Sequence, residues 1–359
     1  MNILQIHTSA RPTTASENRN RLESRKRFSL SRIAGITLVL LALGMVSAGA
    51  QTVKIASIAP EATPWGEGLN RMAAEWSQIT NGRVRVRVFH GGVAGDEQDF
   101  VRKIRLGQLQ GAAVTTVGLT TVVPELWGMV MPGVIESDEE LNYVLASLEE
   151  DLDRSFRDEG YEILTWSNAG WLKFFSTQEI RSPEDLGGLK VATGDFVEDI
   201  NEVMRGMGMQ PVPLSSPEIL SGLNSGLIDS VLYAPLGVAG FQWFGVTNQM
   251  LDLPVAPFFG AIYIDERTWR RIPEQYHEEL MESAERIGVE IESKLAGLEE
   301  DALELMQEYG LEIISISAQQ EDQWYEVFEQ KRDELNSSYF DNDLISKMTD
   351  LLDEFRENN

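Results

Sequence analysis

The chain contains no cysteine. Disulfides, thiolate metal sites, cysteine nucleophiles and a lipid-modified cysteine anchor are excluded together. It has only three histidines, and His7 falls in a segment expected to be removed, so a zinc site or a histidine-dependent triad lacks its parts. Cationic charge is scarce as well: 30 Lys and Arg stand against 57 Asp and Glu, a formal net charge of -27. Residues 1–50 hold seven of the basic residues and two of the acidic ones, which leaves 23 basic and 55 acidic residues in the remainder. Such a surface repels phosphate backbones and anionic headgroups, so nucleic acid is not an expected partner. Catalytic signatures are missing too. Gly91-Gly92-Val93-Ala94-Gly95 lacks the spacing of a dinucleotide fingerprint and the Lys-Ser/Thr of a phosphate loop. Gly222-Leu223-Asn224-Ser225-Gly226 puts serine one place off a nucleophile elbow. Carboxylates are plentiful, but nothing singles out a catalytic pair. No enzyme activity, metal or cofactor is expected.

What is present begins with an export segment. Arg25-Lys26-Arg27 precedes an apolar run from Ile33 to Val46, followed by Ala48-Gly49-Ala50. A basic stretch, a short apolar stretch and a small-x-small site describe a secretory signal peptide over residues 1–50, cleaved before Gln51. The run is short for a membrane span, which needs about 20 residues. An uncleaved anchor is the alternative, and no stable membrane insertion is expected after cleavage. Ser24-Arg25-Lys26-Arg27-Phe28 resembles a twin-arginine signal with Lys26 where the second arginine belongs. The expected location is the periplasm, away from cytoplasmic nucleotides.

The remaining chain reads as α/β, with strands and helices alternating in the manner of mostly parallel sheets. Val53–Ala56 is a buried strand, and Trp65, Leu69, Met72 and Trp76 recur at helical spacing. Arg83-Val84-Arg85-Val86-Arg87-Val88 alternates strictly, so it is a strand with one basic, solvated face. Helices are expected at Asp96–Leu106, Asp138–Phe156 and Gly194–Met207, and strands at Tyr161–Trp166, Leu189–Val191, Val212–Leu214 and Ile228–Tyr233. From Pro273 the residues Leu280, Ala284, Ile287, Ile291, Leu295, Leu298, Ala302 and Leu305 step by three and four. A helix of about 36 residues would span about 54 Å. A rod of that length braces two domains, or forms the seam of a coiled-coil dimer. A strand at Leu311–Ile316 and two acidic helices follow.

Six stretches in order carry a family likeness. They are Thr80-Asn81-Gly82-Arg83-Val84, Ala94-Gly95-Asp96, Leu106-Gly107-Gln108-Leu109-Gln110, the run Pro183 to Lys190, Pro211-Val212-Pro213-Leu214 with Glu218, and Leu223 to Asp229. Across residues 53–335 the chain resembles the substrate-binding subunit of tripartite ATP-independent periplasmic (TRAP) transporters. The resemblance implies a two-lobed periplasmic binding protein, a clamshell with crossover strands and a long bracing helix. One lobe would hold 51–167 and 254–297, the other 168–253 and 298–359, with hinges near Trp166–Gly170 and Leu253–Pro254. It also implies a small-molecule ligand and TRAP membrane permease subunits as partners, with a periplasmic accessory protein as a further candidate.

One departure from the family pattern bears on the ligand. Acid-binding members carry arginine in Leu-Lys-x-Arg and a second arginine after the glycine of a crossover strand. The matching positions here are Ala192, after Leu189-Lys190-Val191, and Leu172, after Gly170-Trp171. A buried carboxylate left without its partner costs about 3–5 kcal/mol, or two to four decades of affinity. Lys173 is adjacent, but neighbours on a strand point to opposite faces. The matched positions Ile58, Thr115, Leu172, Ala192, Ser216 and Tyr233, with Trp65, Trp171, Phe174, Phe196 and Trp243 near them in sequence, predict an apolar pocket. The expected ligand is uncharged, apolar or amphipathic. The alternatives are an organic acid held by Lys173 or backbone amides, and a lipid carrier or interaction module that feeds no permease.

Overall fold

The computed structural model describes residues 50–193, 198–334 and 342–358. The expected export segment lies outside the described residues apart from Ala50, and so does Phe196. Ten strands are described. The first three are β1 (Gln51–Ser57), β2 (Val84–Phe89) and β3 (Gly111–Thr115). Then come the long β4 (Tyr161–Ser176), β5 (Lys190–Ala192), β6 (Gln210–Val212) and β7 (Ser230–Tyr233). The last are β8 (Gln249–Leu251), β9 (Ala256–Asp265) and β10 (Glu312–Ile314).

The sheet runs β2-β1-β3-β9-β4-β7-β5-β6, with β8 and β10 attached beside β4. Pairing is parallel among β1, β2 and β3, among β5, β6 and β7, and between β8 and β10. It is antiparallel wherever β4 or β9 takes part. The expectation of mostly parallel sheets therefore holds within each half and fails at the join, because both crossing strands run against their neighbours. The expected strand Tyr161–Trp166 is the first part of β4. The strand continues past irregularities at Ile163/Thr165 and Asn168/Trp171 and pairs with β7 from Lys173 onward.

Each half is covered by helices on both faces. In the first half, alternate side chains of β9 divide between two cores: Phe259, Ala261 and Tyr263 enter one, Ile262 and Ile264 the other. The helix Pro64–Ile79 starts at Thr63, whose side chain accepts from Gly66 N, with proline in its first turn. Its Leu69, Met72 and Trp76 bury against Leu280, Ala284 and Ile287 of the long helix His277–Glu308. Two ion pairs flank that seam, Arg71 to Glu290 at 2.5 Å and Arg286 to Glu75 at 2.6 Å.

The long helix has 32 residues, about 48 Å. It is shorter than expected because a 3-10 turn, Glu274–Tyr276, occupies the residues after Pro273. Its apolar stripe is covered within the chain from Leu280 to Ala302, and Met306 joins a core with Phe175, Val231 and Trp243 in the second half, while the expected stripe residue Leu305 is exposed. That is the bracing arrangement, and the stripe is not left open as a coiled-coil seam. The final helix, Asp343–Asn358, departs from the expected division. Its Ile345, Met348 and Leu352 pack in the first half with Leu141 and Leu148, and Arg356 Nε donates to Glu140 Oε1 at 2.6 Å. The basic stripe behaves as a solvated face. Arg85 and Arg87 on the edge strand β2 are exposed, as is Arg83 just before it, while Val84 is buried. Cations on an edge discourage pairing with another chain.

Candidate ligand-binding site

The parallel strands of both halves end at one cavity of about 150 Å³. Ligands of open α/β sheets sit at such carboxyl ends. Ile58 follows β1, Thr115 closes β3, Ala192 closes β5 and Tyr233 closes β7, and all four line the cavity. Leu172 and Phe174 reach it from one face of β4, and Ser216 from the first turn of the helix Ser216–Ser225. That helix begins with a capping box between Ser215 and Glu218, which fixes where Ser216 stands.

Three expected residues are placed elsewhere. Trp65 lines a neighbouring cavity of about 100 Å³. Trp171 lines neither; a bulge in β4 turns it toward the first core, where its Nε1 donates to Asp138 Oδ1 at 3.0 Å. Trp243 lines neither either. It is buried behind Tyr233, stacked on Phe241 at 4.7 Å between ring centroids and 5.1 Å from the Tyr233 ring. Phe196 lies outside the described residues.

Sequence reasoning missed several wall residues. Met204, Met207 and Met209 line the cavity, as do Phe258 of β9 and Glu97. The methionines supply a polarisable wall that adapts to ligand shape. Glu97 opens the helix Glu97–Arg105 and is only 4 % exposed. Its Oε1 accepts from Thr115 N at 2.8 Å, and its Oε2 accepts from Thr115 Oγ1 at 2.9 Å and Gly118 N at 2.6 Å. Burial pushes this carboxyl up to about 7, against the lowering effect of those three hydrogen bonds. Tyr233 is half-buried, and desolvation of its hydroxyl together with the nearby Glu97 charge raises that group above the ordinary tyrosine value. No protein hydrogen bond engages that hydroxyl or the Ser216 hydroxyl among the described residues, so both can address a ligand.

Among the described residues, no lysine or arginine lines this cavity or its neighbour. Residues 194–197, Gly-Asp-Phe-Val, carry no cation in sequence. Lys173 is turned to the opposite face of β4, where its ammonium meets Asp252 Oδ1 at 2.8 Å and lies near Glu299. No cluster of His, Asp or Glu among the described residues is arranged to hold a metal ion. No helix among them is long and apolar enough to cross a membrane.

The family model described as bacterial extracellular solute-binding protein, family 7, matches residues 55–338. A solute-binding protein of Chromohalobacter salexigens is 24% identical over 240 residues, covering 64% of this chain and 68% of that protein. A solved TRAP periplasmic solute-binding protein from Ralstonia eutropha H16, with bound (S)-2-acetolactate, superposes with a TM-score of 0.77 at 20% identity. That match covers 84% of this chain and 99% of the other. Another from Sulfurospirillum deleyianum, with bound succinate, has a TM-score of 0.76 at 21% identity and covers 84% and 98% of the two chains. The sheet with its two crossing strands and bracing helix is thus the two-lobed α/β fold of those proteins.

Proposed function

This chain belongs to bacterial extracellular solute-binding protein family 7, the substrate-binding subunits of TRAP transporters, and from that membership we propose that it carries an uncharged or amphipathic solute to a TRAP permease. The family binds and delivers small solutes and is not enzymatic. The reading of the ligand rests on one observation: the described walls of the cavity carry no cation, and the carboxyl of Glu97 stands among them. An ionised acid there would lose its hydration without gaining a counter-charge. A ligand with one or two polar atoms could instead meet the hydroxyls of Tyr233 and Ser216, with its apolar body against Ile58, Leu172, Ala192 and the methionines.

The runner-up is a small organic acid held by hydroxyls and backbone amides. What favours it is the company the fold keeps: similar solved structures hold succinate and acetolactate. A thermal-shift panel separates the two readings. Binding at about 100 Kd adds about 2.7 kcal/mol of stability. Succinate, acetolactate and uronates should leave the melting temperature unmoved, while uncharged amphipathic compounds raise it. Tight succinate binding that survives Ala192→Glu would reject both the ligand class and the cavity, because a buried negative charge there repels any bound acid. Native mass spectrometry of protein purified without refolding would give the mass of a retained ligand.

We further read residues 1–50 as a signal peptide, so that the working protein is periplasmic and starts at Gln51. Gln51 is the first residue of β1, where its N donates to Arg83 O at 2.7 Å and its Nε2 to Thr268 O at 3.0 Å. Cleavage after Ala50 would leave this strand whole. N-terminal sequencing of exported material should read Gln-Thr-Val-Lys, and a membrane-retained chain starting at Met1 would reject the assignment.

A further inference from the structure

The neighbouring cavity shares walls with the main one. Ile58, Thr115, Tyr233 and Phe258 line both, so the two adjoin at these residues. Its remaining walls include Trp65, Leu236, Phe241 and Ile291. Besides Thr115 and Tyr233, four hydroxyl residues touch it, and each makes a hydrogen bond to local backbone. Ser57 Oγ accepts from Ala59 N at 3.1 Å. Thr63 Oγ1 donates to Pro60 O at 2.7 Å and accepts from Gly66 N at 3.3 Å. Thr165 Oγ1 donates to Trp166 O at 3.0 Å and Ser167 Oγ to Asn168 O at 3.3 Å. Thr115 Oγ1 is spent on Glu97. The compartment therefore offers a ligand contact area that is almost wholly apolar. Its volume of about 100 Å³ approaches that of an engineered cavity of about 150 Å³ that stays dry and takes up benzene.

Tyr233 is the partition. Its ring meets Phe258 at 5.2 Å, Trp243 at 5.1 Å and Phe241 at 6.2 Å between centroids. Its ring edge also meets Gly237, where an added Cβ would come within 2.2 Å of Cε1. The missing side chain at 237 is what lets the ring sit against the helix Pro235–Gly240, with its hydroxyl close enough to Glu97 of the main cavity to feel that charge. An empty apolar space forfeits the dispersion contacts of its lining, and an apolar group placed there recovers them.

We propose that this compartment is a tail subsite: it receives the aliphatic or aromatic tail of an amphipathic ligand whose polar head stays in the main cavity at Tyr233 and Ser216. The inference rests on the ligand class proposed above. It adds that the ligand is elongated and passes the Tyr233–Phe258 partition.

Straight-chain 1-alkanols from butanol to decanol test it by calorimetry on the mature protein. Each methylene that enters an apolar site tightens binding about fourfold. In the unmodified protein the gain should continue until both compartments are filled and then level off. Ala169→Leu and Leu236→Trp fill only the second compartment, since neither residue lines the main cavity. In either folded variant the gain should stop several methylenes earlier. A series that levels off at the same length in the unmodified protein and both variants overturns the tail subsite and leaves the main-cavity reading standing. Failure of every alkanol to bind overturns both.

Discussion

Glu97 is the residue whose chemistry is most dependent on its surroundings. Its folded-state value of about 7 lies above the ordinary carboxylate value of 4.5, so the native protein holds a proton that the unfolded chain has lost between those two pH values. Its stabilising contribution is therefore fully present below about pH 4.5 and is lost as pH rises through about 7. Glu97→Gln should remove that slope. At pH 4 it should cost about 1–3 kcal/mol, because an amide cannot accept from Thr115 N, Thr115 Oγ1 and Gly118 N together, and that cost should shrink as pH rises through about 7. Urea midpoints of both proteins from pH 4 to 8 check this, and parallel curves would show that Glu97 does not titrate in the window. The residue also shows where sequence reading stops. It is one of 57 acidic residues, and only its burial at the end of β3 sets it apart. The same holds for Phe258 and the methionines, whose place in the wall depends on crossings far away in the chain. Ile58, Thr115, Ala192 and Tyr233 were expected from the family resemblance and not from their own pattern, and all four line the cavity. Trp171 and Trp243 were misplaced because a large aromatic near such positions fits a core as well as a cavity.

At the scale of elements, amphipathic helices were legible and doubly buried strands were not. The helix Asp138–Asp158 shows its Leu141, Val144, Leu148 and Leu152 at helical spacing, and all four are buried. Strand β9 has nine buried residues of ten, so it shows neither a period of two nor one of 3.6. The strand read from pattern stopped at Trp166, and only the family resemblance carried a crossover strand past Gly170; Asn168-Ala169-Gly170 is an irregularity in one continuous strand. Close approach between elements makes a sharper prediction. In the helix Pro64–Ile79 a Cβ at Gly66 would lie 2.4 Å from Pro60 O and 2.5 Å from Glu61 O, both backbone. Gly66→Ala should therefore destabilise by about 1–3 kcal/mol, although alanine is the better helix former. At Gly206, ending the helix Glu198–Gly206, a Cβ would meet only Lys331 Cδ at 3.8 Å. Gly206→Ala should instead be neutral or stabilise by up to about 1 kcal/mol. Chemical denaturation of both variants checks the pair, and equal effects would show that the turn at Pro60 yields freely.

At the scale of the whole molecule, ligand and hinge have to be considered together. Ile58, Thr115 and Phe258 reach the cavity from the first half of the sheet, and Ala192, Ser216 and Tyr233 from the second. A ligand touching both sets favours whichever arrangement of the halves brings them together, and only that difference in contact free energy can drive closure. The connection suits such a motion. The chain passes between the halves on β4 and β9, and β4 is irregular at Asn168/Trp171, where Gly170 sits in the left-handed region at φ +88°. We propose a hinge there and near Leu253–Pro254. The long helix lies across both halves, and the helix Asp343–Asn358 packs with the first, not with the second as the family's lobe pattern implied. Solution scattering of the mature protein should then show a smaller radius of gyration at about 100 Kd of a bound amphipathic ligand than without it. The same sample should gain about 2.7 kcal/mol of stability. A stability gain of that size with an unchanged radius would mean that the ligand enters a cavity already formed, because binding free energy would have been released without any approach of the two halves.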